Sequence, residues 1–188
     1  MILAKYIGTS NISLGENGGV IAKSPLDIQI IGNKSKTTEA FNLLCKEISN
    51  VKIRTSIPRL SEVVLERSFD IKIGRKIISE NNLQVNLIDS NFAYHITDNT
   101  VDKGKGLKIA LEYLKIDPSE TITIGDSDTD VPMFKTCKYS ISVGKATENA
   151  KKNSVYNIDS PSGEGLNDAL DLAFQKIISK IIQDDFKK

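Results

Sequence analysis

Three aspartates follow a short apolar run at alternate positions. The β-branched run Thr121–Ile124 predicts a buried strand, Gly125 ends it, and Asp126, Asp128 and Asp130 come next. Ligands of open α/β sheets bind at the carboxyl ends of strands, so this position indicates a binding site. Carboxylates this close repel one another unless a cation lies between them, and Mg²⁺ is the usual cation where phosphate is also bound. The pattern therefore favours a magnesium-dependent phosphoryl-transfer site.

Two other interpretations of the acidic loop compete with this one. An EF-hand calcium loop requires Gly at its sixth position and Glu at its twelfth, where this chain has Val131 and Cys137, so that interpretation fails. The loop could instead be structural, with Asp128 or Thr129 capping a helix and the other acids solvated. The residues alone leave this second alternative open.

The chain ahead of the loop contains an Asn-Gly turn and then a repeated pattern. Asn17-Gly18 between two apolar runs predicts a hairpin, because tight primed turns need positive φ. Between residues 34 and 98 a helix followed by two strands occurs twice, which predicts an antiparallel sheet with both helices on one face and the other face open. The predicted helices are Thr37–Ile48, capped by Thr37 or Thr38, and 71–82, and the predicted strands are Val51–Ile57, Glu62–Glu66, Gln84–Ile88 and Phe92–Thr97.

From about residue 99 strands and helices alternate, which is typical of a parallel sheet with helices on both sides. The predicted strands are Thr121–Ile124, Tyr139–Val143 and Ser154–Ile158, and the predicted helices are Lys103–Leu114, Val131–Thr136, Thr147–Lys152 and Leu166–Phe186. The predicted fold class is α/β. It consists of a Rossmann-like parallel sheet core, residues 1–33 and 99–188, with an inserted α+β cap domain of order αββαββ, residues 34–98.

The composition disfavours several classes of partner. With 25 basic and 24 acidic residues, the chain has no overall field to attract nucleic acid or an anionic membrane. No apolar run approaches the roughly 20 residues of a membrane span, and the amino terminus lacks a secretion signal. We therefore expect a cytoplasmic protein with neither a nucleic-acid nor a membrane partner. Cys45 and Cys137 are isolated and are predicted to be packing residues, and His95, with no acid or cysteine at ligand spacing, is predicted to be structural.

Four ordered segments resemble the haloacid dehalogenase superfamily of phosphatases. Ile122–Phe134 is similar to its fourth motif, Asp102–Leu107 to the third motif of the branch with an αββ-repeat cap, Leu14–Gly19 to the hairpin ahead of that cap, and Gly163–Gly165 to a loop near the end. The likeness covers nearly the whole chain, and the short cap resembles that of the archaeal phosphoglycolate phosphatases. It implies a magnesium-dependent hydrolase of small phosphorylated metabolites, with phosphoglycolate favoured over sugar phosphates.

The resemblance assigns roles to the acidic loop and to the helix before it. Asp126 would bind Mg²⁺ directly, and Asp130 would complete the metal shell or hold a metal-bound water. Lys103 would contact the transferring phosphoryl group and neutralise its charge. The helix dipole slightly disfavours a cation at a helix start, which favours a functional role for Lys103, although Lys105 is a local alternative.

Two residues of the amino-terminal half are candidates for substrate binding. Arg59 could pair with a substrate carboxylate through two hydrogen bonds, but Arg54 and Arg67 are close in sequence. Asn17 either reaches the rim of the site or serves only the turn.

The sequence also departs from the family pattern. Thr129 stands where the family usually has Asn. More importantly, no strand ending in Asp-x-Asp lies ahead of the cap, so the nucleophile and the general acid–base are missing, as is the Ser or Thr of the second motif. We expect that the sequence begins about 40 to 60 residues into a family length of roughly 225. Alone it should then have little or no phosphatase activity, and it should either form a homo-oligomer that covers unpaired strand edges or depart from the family sheet. The alternative is a catalytically silent subunit that keeps the metal loop and cap for binding or assembly.

Overall fold

The computed structural model describes residues 12–54, 58–160 and 164–178. The chain divides into two compact units that separate between Asp102 and Lys103. The first unit contains helices α1 (Lys34–Glu47) and α2 (Ile71–Glu80), and strands β1 (Ser13–Gly15), β2 (Val20–Ser24), β3 (Asp27–Ile30), β4 (Val63–Leu65), β5 (Val85–Asp89) and β6 (Tyr94–Asp98). Strands β1, β2 and β3 form an antiparallel meander in that order.

The second sheet of this unit has the order β4-β6-β5 and is antiparallel. Side chains from both helices and from alternate strand positions form one core cluster, made of Ala40, Leu44, Val63, Leu65, Ile78, Val85, Leu87, Tyr94 and Ile96. Both helices therefore cover the same face, as the repeated pattern predicts. Because successive strand side chains point to opposite faces, the register pair Val64 and His95 lies on the other face.

The strands and caps of this unit differ in places from the sequence predictions. Of the predicted strand Val51–Ile57, the described residues form an isolated bridge between Ile53 and Leu65, and residues 55–57 lie outside the described part. Strand β3 was not predicted, and all four of its residues are exposed. Helix α1 starts earlier than predicted because Asn33 caps it by accepting the N–H of Ser35 at 2.9 Å. The predicted cap at Thr37 or Thr38 is wrong.

The second unit is built on the parallel sheet β7-β8-β9. Its strands are β7 (Ile122–Gly125), β8 (Tyr139–Val143) and β9 (Tyr156–Ile158), and its helices are α3 (Lys103–Leu114), α4 (Val131–Phe134), α5 (Glu148–Asn153) and α6 (Glu164–Leu172). The predicted helix Leu166–Phe186 is α6 followed by a π-helical segment, Ala173–Ile178, and its remainder lies outside the described residues. The α/β class and the parallel sheet of this part are as predicted.

Several other predictions can be compared with the structure. Cys137 is buried, as expected of a packing residue, but Cys45 is exposed, so that prediction was wrong for Cys45. His95 is buried in β6, yet an acid does contact it, because Glu62 lies beside it in the fold although 33 residues away in sequence. Over the described residues, no helix is long and apolar enough to span a membrane. The bounds of cap and core, residues 34–98 against 1–33 and 99–188, stay a prediction.

Candidate active site

The carboxylate of Asp130 connects the acidic loop to helix α3. Its Oδ1 accepts a hydrogen bond from Nζ of Lys103 at 2.5 Å. Its Oδ2 accepts the backbone N–H of Asp126 at 2.9 Å, the N–H of Ser127 at 3.0 Å and the Ser127 hydroxyl at 2.9 Å. The residue is only 4% exposed. Both oxygens therefore have partners, and the carboxylate fixes the loop and the ammonium group together.

The loop also carries a capping arrangement. Ser127 precedes the 3₁₀ turn Asp128–Asp130, and the side chains of Ser127 and Asp130 each bond the other's backbone in a capping box. The Thr147 N–H donates to the Asp126 carbonyl at 3.0 Å, and its hydroxyl donates to Asp128 Oδ1 at 2.5 Å. The structural alternative is therefore wrong in two respects: the cap is Ser127 and not Asp128 or Thr129, and Asp130 is buried and not solvated.

At two positions of the motifs that resemble the family, close contacts require glycine. A Cβ at Gly125 would lie 2.6 Å from Cβ and Cγ of Asp130, so only glycine lets that carboxylate fold over the end of β7. A Cβ at Gly104 would lie 2.5 Å from the Pro132 carbonyl oxygen. Gly104 therefore allows the first turn of α3 to approach α4, which is how Lys103 reaches Asp130.

The pKa of Asp130 reflects its buried position and its partners. Burial by itself raises this pKa, but the hydrogen bond and positive charge of Lys103 lower it, and so do the N–H groups of Asp126 and Ser127. The lowering effects are larger, so the pKa of Asp130 lies below its usual range. Asp130 is therefore an anion at neutral pH, held against an ammonium group.

Asp126 differs from Asp130 in that its side chain is exposed. No hydrogen bond or ion pair involves its carboxylate within the part of the chain that the structure describes. Over those same residues, no group of three or more His, Cys, Asp and Glu side chains is arranged to hold a metal ion. Mg²⁺ typically takes only one or two protein carboxylates and fills its remaining positions with water and phosphate oxygens. The one available carboxylate, that of Asp126, is compatible with that pattern, and its role as the direct ligand stays a prediction.

Of the two candidate lysines in α3, Lys103 is the one that contacts Asp130. Its side chain is 35% exposed, so it can face a ligand while the carboxylate holds it. Lys105 is exposed. The geometry thus favours Lys103 for the phosphoryl contact that the resemblance implies.

The predicted substrate-binding residues Asn17 and Arg59 meet on one buried acid of the first unit. Glu62 is 2% exposed, and its Oε2 accepts the Asn17 amide at 2.9 Å. Its Oε1 lies 3.4 Å from the Arg59 guanidinium. His95 Nδ1 lies 3.1 Å from Oε2, and His95 Nε2 lies 3.1 Å from the Ser90 hydroxyl. Burial raises the pKa of Glu62, but the hydrogen bonds and charges of these neighbours outweigh it and lower the pKa overall.

The Asn-Gly turn is held in place by Glu16. Glu16, Asn17 and Gly18 have positive φ values of 51°, 54° and 91°. The Glu16 side chain is fixed, because its carboxylate accepts the N–H groups of Leu60, Ser61 and Glu62 at 2.9, 2.6 and 3.1 Å. Such a left-handed conformation persists only where surrounding contacts fix it. The turn therefore also positions the segment that carries Arg59.

The structure brings the candidate residues together in two groups. Lys103, Asp126 and Asp130 share the second unit, and Asn17 and Arg59 share the first. Sequence reasoning missed Ser127, Glu16 and Glu62 in the supporting contacts. The Ser-x-x-Asp spacing at 127–130 resembles a capping box and was a usable signal, whereas the Glu62 contacts join positions distant in sequence and have no local signature.

Comparison with known proteins defines the class of this protein. The model of the haloacid dehalogenase-like hydrolases matches residues 10–170. Given the parallel sheet, the acidic loop at its carboxyl edge and this match, the chain belongs to the haloacid dehalogenase-like hydrolase family.

Individual relatives indicate to which members of the family this chain is similar in sequence. A phosphoglycolate phosphatase of Nitrosopumilus maritimus is 40% identical over 170 residues, which cover 90% of this chain and 74% of that protein. A phosphoglycolate phosphatase of Archaeoglobus fulgidus is 42% identical over 169 residues, 89% of this chain and 74% of that protein. The chain is therefore a phosphatase-family member with phosphoglycolate phosphatase homologues.

Solved structures show the same fold. A Thermoplasma acidophilum protein superposes with a TM-score of 0.79 at 22% identity, covering 90% of this chain and 75% of that one. The sucrose-phosphatase of Synechocystis, solved with sucrose and phosphate, superposes with a TM-score of 0.66 at 16% identity, covering 90% and 77%. At these identities the likeness establishes the fold alone.

Proposed function

We propose that this protein is a magnesium-dependent phosphomonoester hydrolase of small phosphorylated metabolites, with phosphoglycolate as the favoured substrate. The observation that carries the proposal is the Asp130 carboxylate, which holds the Lys103 ammonium on one oxygen and the backbone of Asp126 on the other. The relatives named phosphoglycolate phosphatases, at 40% and 42% identity, support the choice of substrate.

The residues of this chain would act on the phosphoryl group through charge and position. Lys103 would donate hydrogen bonds to a phosphoryl oxygen and offset its negative charge as the bond to the leaving group breaks. Asp130 would position Lys103. Asp126 would hold Mg²⁺, which when bound supplies further positive charge against the phosphoryl oxygens.

We propose further that these 188 residues do not supply the attacking carboxylate. Asp126, Asp128 and Asp130 form the only Asp-x-Asp pattern in the sequence, and Asp130 is committed to Lys103 and to the loop. We therefore propose that the chain by itself does not turn over substrate. A cytoplasmic location and self-association remain predictions from the sequence.

Magnesium binding is the first test. Calorimetric titration of the 188-residue chain with Mg²⁺ should show one weak site that Asp126→Ala abolishes. Asp128→Asn is the matched control, because it removes the charge of an exposed acid of the same loop while its amide oxygen can still accept the Thr147 hydroxyl, and it should leave the affinity within about twofold. Equal loss in both variants would mean that the loop attracts cations only through its overall charge.

Phosphate release is the second test. With Mg²⁺ and phosphoglycolate, the 188-residue chain should release no phosphate above the buffer rate. A protein extended at its amino terminus by a strand that ends in Asp-x-Asp, the element that the family resemblance implies, should hydrolyse phosphoglycolate. An extended protein that binds Mg²⁺ but remains inactive would refute the phosphatase proposal and favour a catalytically silent subunit.

A further inference from the structure

Strand β3 is an apolar edge strand that faces solvent. Ile28 is 44% exposed and Ile30 is 51% exposed, and Leu26, in the turn before the strand, is 98% exposed. Among the described residues, β2 is the only strand that pairs with β3. Unpaired N–H and C=O groups along such an edge can accept a further strand, so native proteins usually protect them with a charge, a proline or a covering segment.

The other sheet of the same unit shows this protection at both of its edges. Beside β4, the Arg54 N–H donates to the Val64 carbonyl at 2.9 Å, so a preceding segment covers that edge. Beside β5, Nε of Arg75 donates to the Leu87 carbonyl at 2.9 Å and places a charge on the edge. In β3, by contrast, all four residues are exposed.

The pairing with β2 determines which backbone groups of β3 point outward. The Ile31 N–H donates to the Gly19 carbonyl at 2.8 Å, and Gln29, two residues earlier, is paired with β2 in the same register. Bonded and non-bonded positions alternate in an antiparallel pair, so the N–H and C=O groups of Ile28 and Ile30 point away from β2. Their side chains share one face of the strand. The edge therefore presents two donors and two acceptors beside two isoleucine side chains.

We propose that β3 pairs antiparallel with β3 of a second copy of this chain, about a two-fold axis at Gln29. In this register Ile28 lies opposite Ile30 of the second copy, and each such pair exchanges both of its backbone hydrogen bonds. The isoleucine side chains then contact one another across the two strands. All the outward groups of Ile28 and Ile30 thus find partners in an identical strand.

The charges of the strand are compatible with this pairing. Asp27 is the charged residue of β3, and it contacts Lys23 of its own chain at 3.9 Å. In the proposed register Asp27 lies opposite Ile31 of the second copy, so the two Asp27 carboxylates are at opposite ends of the paired strands. The Gln29 side chains meet at the axis, where each amide offers both a donor and an acceptor. No like charges face each other.

This interface is independent of the proposed function and of the strand edges of the parallel sheet, because it lies within the meander β1-β2-β3 of the first unit. Two strands of four residues bury little area, so the dimer should be weak, with a Kd of roughly 0.1–1 mM. Sedimentation velocity between 0.02 and 2 mM of the 188-residue chain, as roughly this Kd requires, should show a monomer that becomes a dimer. A monomer throughout that range would overturn the proposal.

Amide hydrogen exchange in the wild type identifies the strand that pairs. The Ile28 and Ile30 amides should exchange roughly twofold or more slowly at the high concentration than at the low one, because pairing removes them from water. The Gln29 amide faces β2 in monomer and dimer alike, so its exchange rate should not change. A dimer that slows neither Ile28 nor Ile30 would place the contact elsewhere and refute this interface.

Variants test the register. Ile28→Lys and Ile30→Glu should each weaken self-association roughly tenfold or more, because a charge then faces an isoleucine of the second copy. An equimolar mixture of the two variants should recover association, since the introduced charges face each other in the mixed dimer while the unchanged Ile28 and Ile30 remain paired. Leu26→Lys is the matched control, because Leu26 is an exposed apolar residue outside the strand, and it should leave the Kd within about twofold.

A dimer that survives Ile28→Lys, or a mixture that associates no better than either variant alone, would overturn the proposal. Should a variant fail to fold, the wild-type exchange rates of Ile28, Gln29 and Ile30 still decide the question.

Discussion

Nζ of Lys103 and Oδ1 of Asp130 lie 2.5 Å apart, although 27 residues of sequence separate them. The lysine starts a helix and the aspartate ends a 3₁₀ turn, so neither element alone determines the contact. Gly104 lets α3 approach α4, and Gly125 leaves space for the carboxylate at the end of β7. The ion pair is thus produced by two close approaches that a larger residue would prevent.

Replacing Lys103 should raise the pKa of Asp130. In Lys103→Met the buried carboxylate loses its ammonium partner and keeps only the loop donors, so less remains to offset the effect of burial, which raises its pKa. We expect the free energy of unfolding at pH 7 to fall by about 1–2 kcal/mol, a modest value because the Lys103 side chain is 35% exposed. Carboxyl ¹³C titration of Asp130 and urea unfolding measure the two effects.

The matched control is Lys108→Met, an exposed lysine of the same helix. It should leave both the Asp130 pKa and the unfolding midpoint unchanged. The folded-state pKa of Asp130 is depressed in the wild type, so the stability that it contributes is present above the unfolded pKa and is lost as the pH falls through the folded pKa. The difference in unfolding free energy between wild type and Lys103→Met should therefore shrink in acid. A difference that persists there would point to lost packing.

Gly125→Ala should disorganise the acidic loop. The added methyl would lie 2.6 Å from Cγ and 2.7 Å from Oδ2 of Asp130, and the carboxylate would have to leave the N–H groups of Asp126 and Ser127. We expect a loss of about 1–3 kcal/mol in unfolding free energy and faster hydrogen exchange at those two amides. Gly15→Ala is the control, since nothing lies within 4 Å of its added methyl. Equal effects in the two variants would contradict the steric argument.

The sequence predicts those elements well whose signal is local. Helix α3 and strand β8 have the predicted bounds, because the helical spacing of apolar residues in α3 and the alternation of apolar residues with serine in β8 determine them. Ile28 and Ile30 of strand β3 alternate with polar residues, but no strand was predicted there. Its side chains are exposed, so no buried pattern distinguished it.

The supporting contacts of the candidate site were less predictable. The acidic loop and Lys103 can be predicted from the motif resemblance, but the separate contacts of each aspartate in the loop cannot. Whether Asp130 faces a metal ion or a lysine side chain depends on how α3 packs, which no local pattern encodes. The contact between Glu62 and His95 likewise requires the pairing of β4 with β6, a register that only the folded sheet defines.

Asp98 should contribute stability that is lost in acid. Burial raises its pKa, but the N–H groups of Thr100 and Asn33, together with Lys36, lower it from the ordinary 3.8 to about 2. Because the folded-state value is the lower one, this stability is present above about pH 4 and is lost between about pH 4 and pH 2. The shift corresponds to about 2 kcal/mol.

Asp98→Asn should therefore lower the unfolding free energy at pH 7 by about 2 kcal/mol, since the amide has no charge and turns a donor toward groups that also donate. Urea unfolding of wild type and variant at pH 7, 4 and 2.5 checks this, and the difference should narrow at the lowest pH. Asp27→Asn serves as the control, because the Asp27 side chain is 60% exposed and its contact with Lys23 is 3.9 Å long. If the difference in unfolding free energy between wild type and Asp98→Asn stayed constant from pH 7 to 2.5, the shape of the Asp98 side chain, and not its charge, would determine its role.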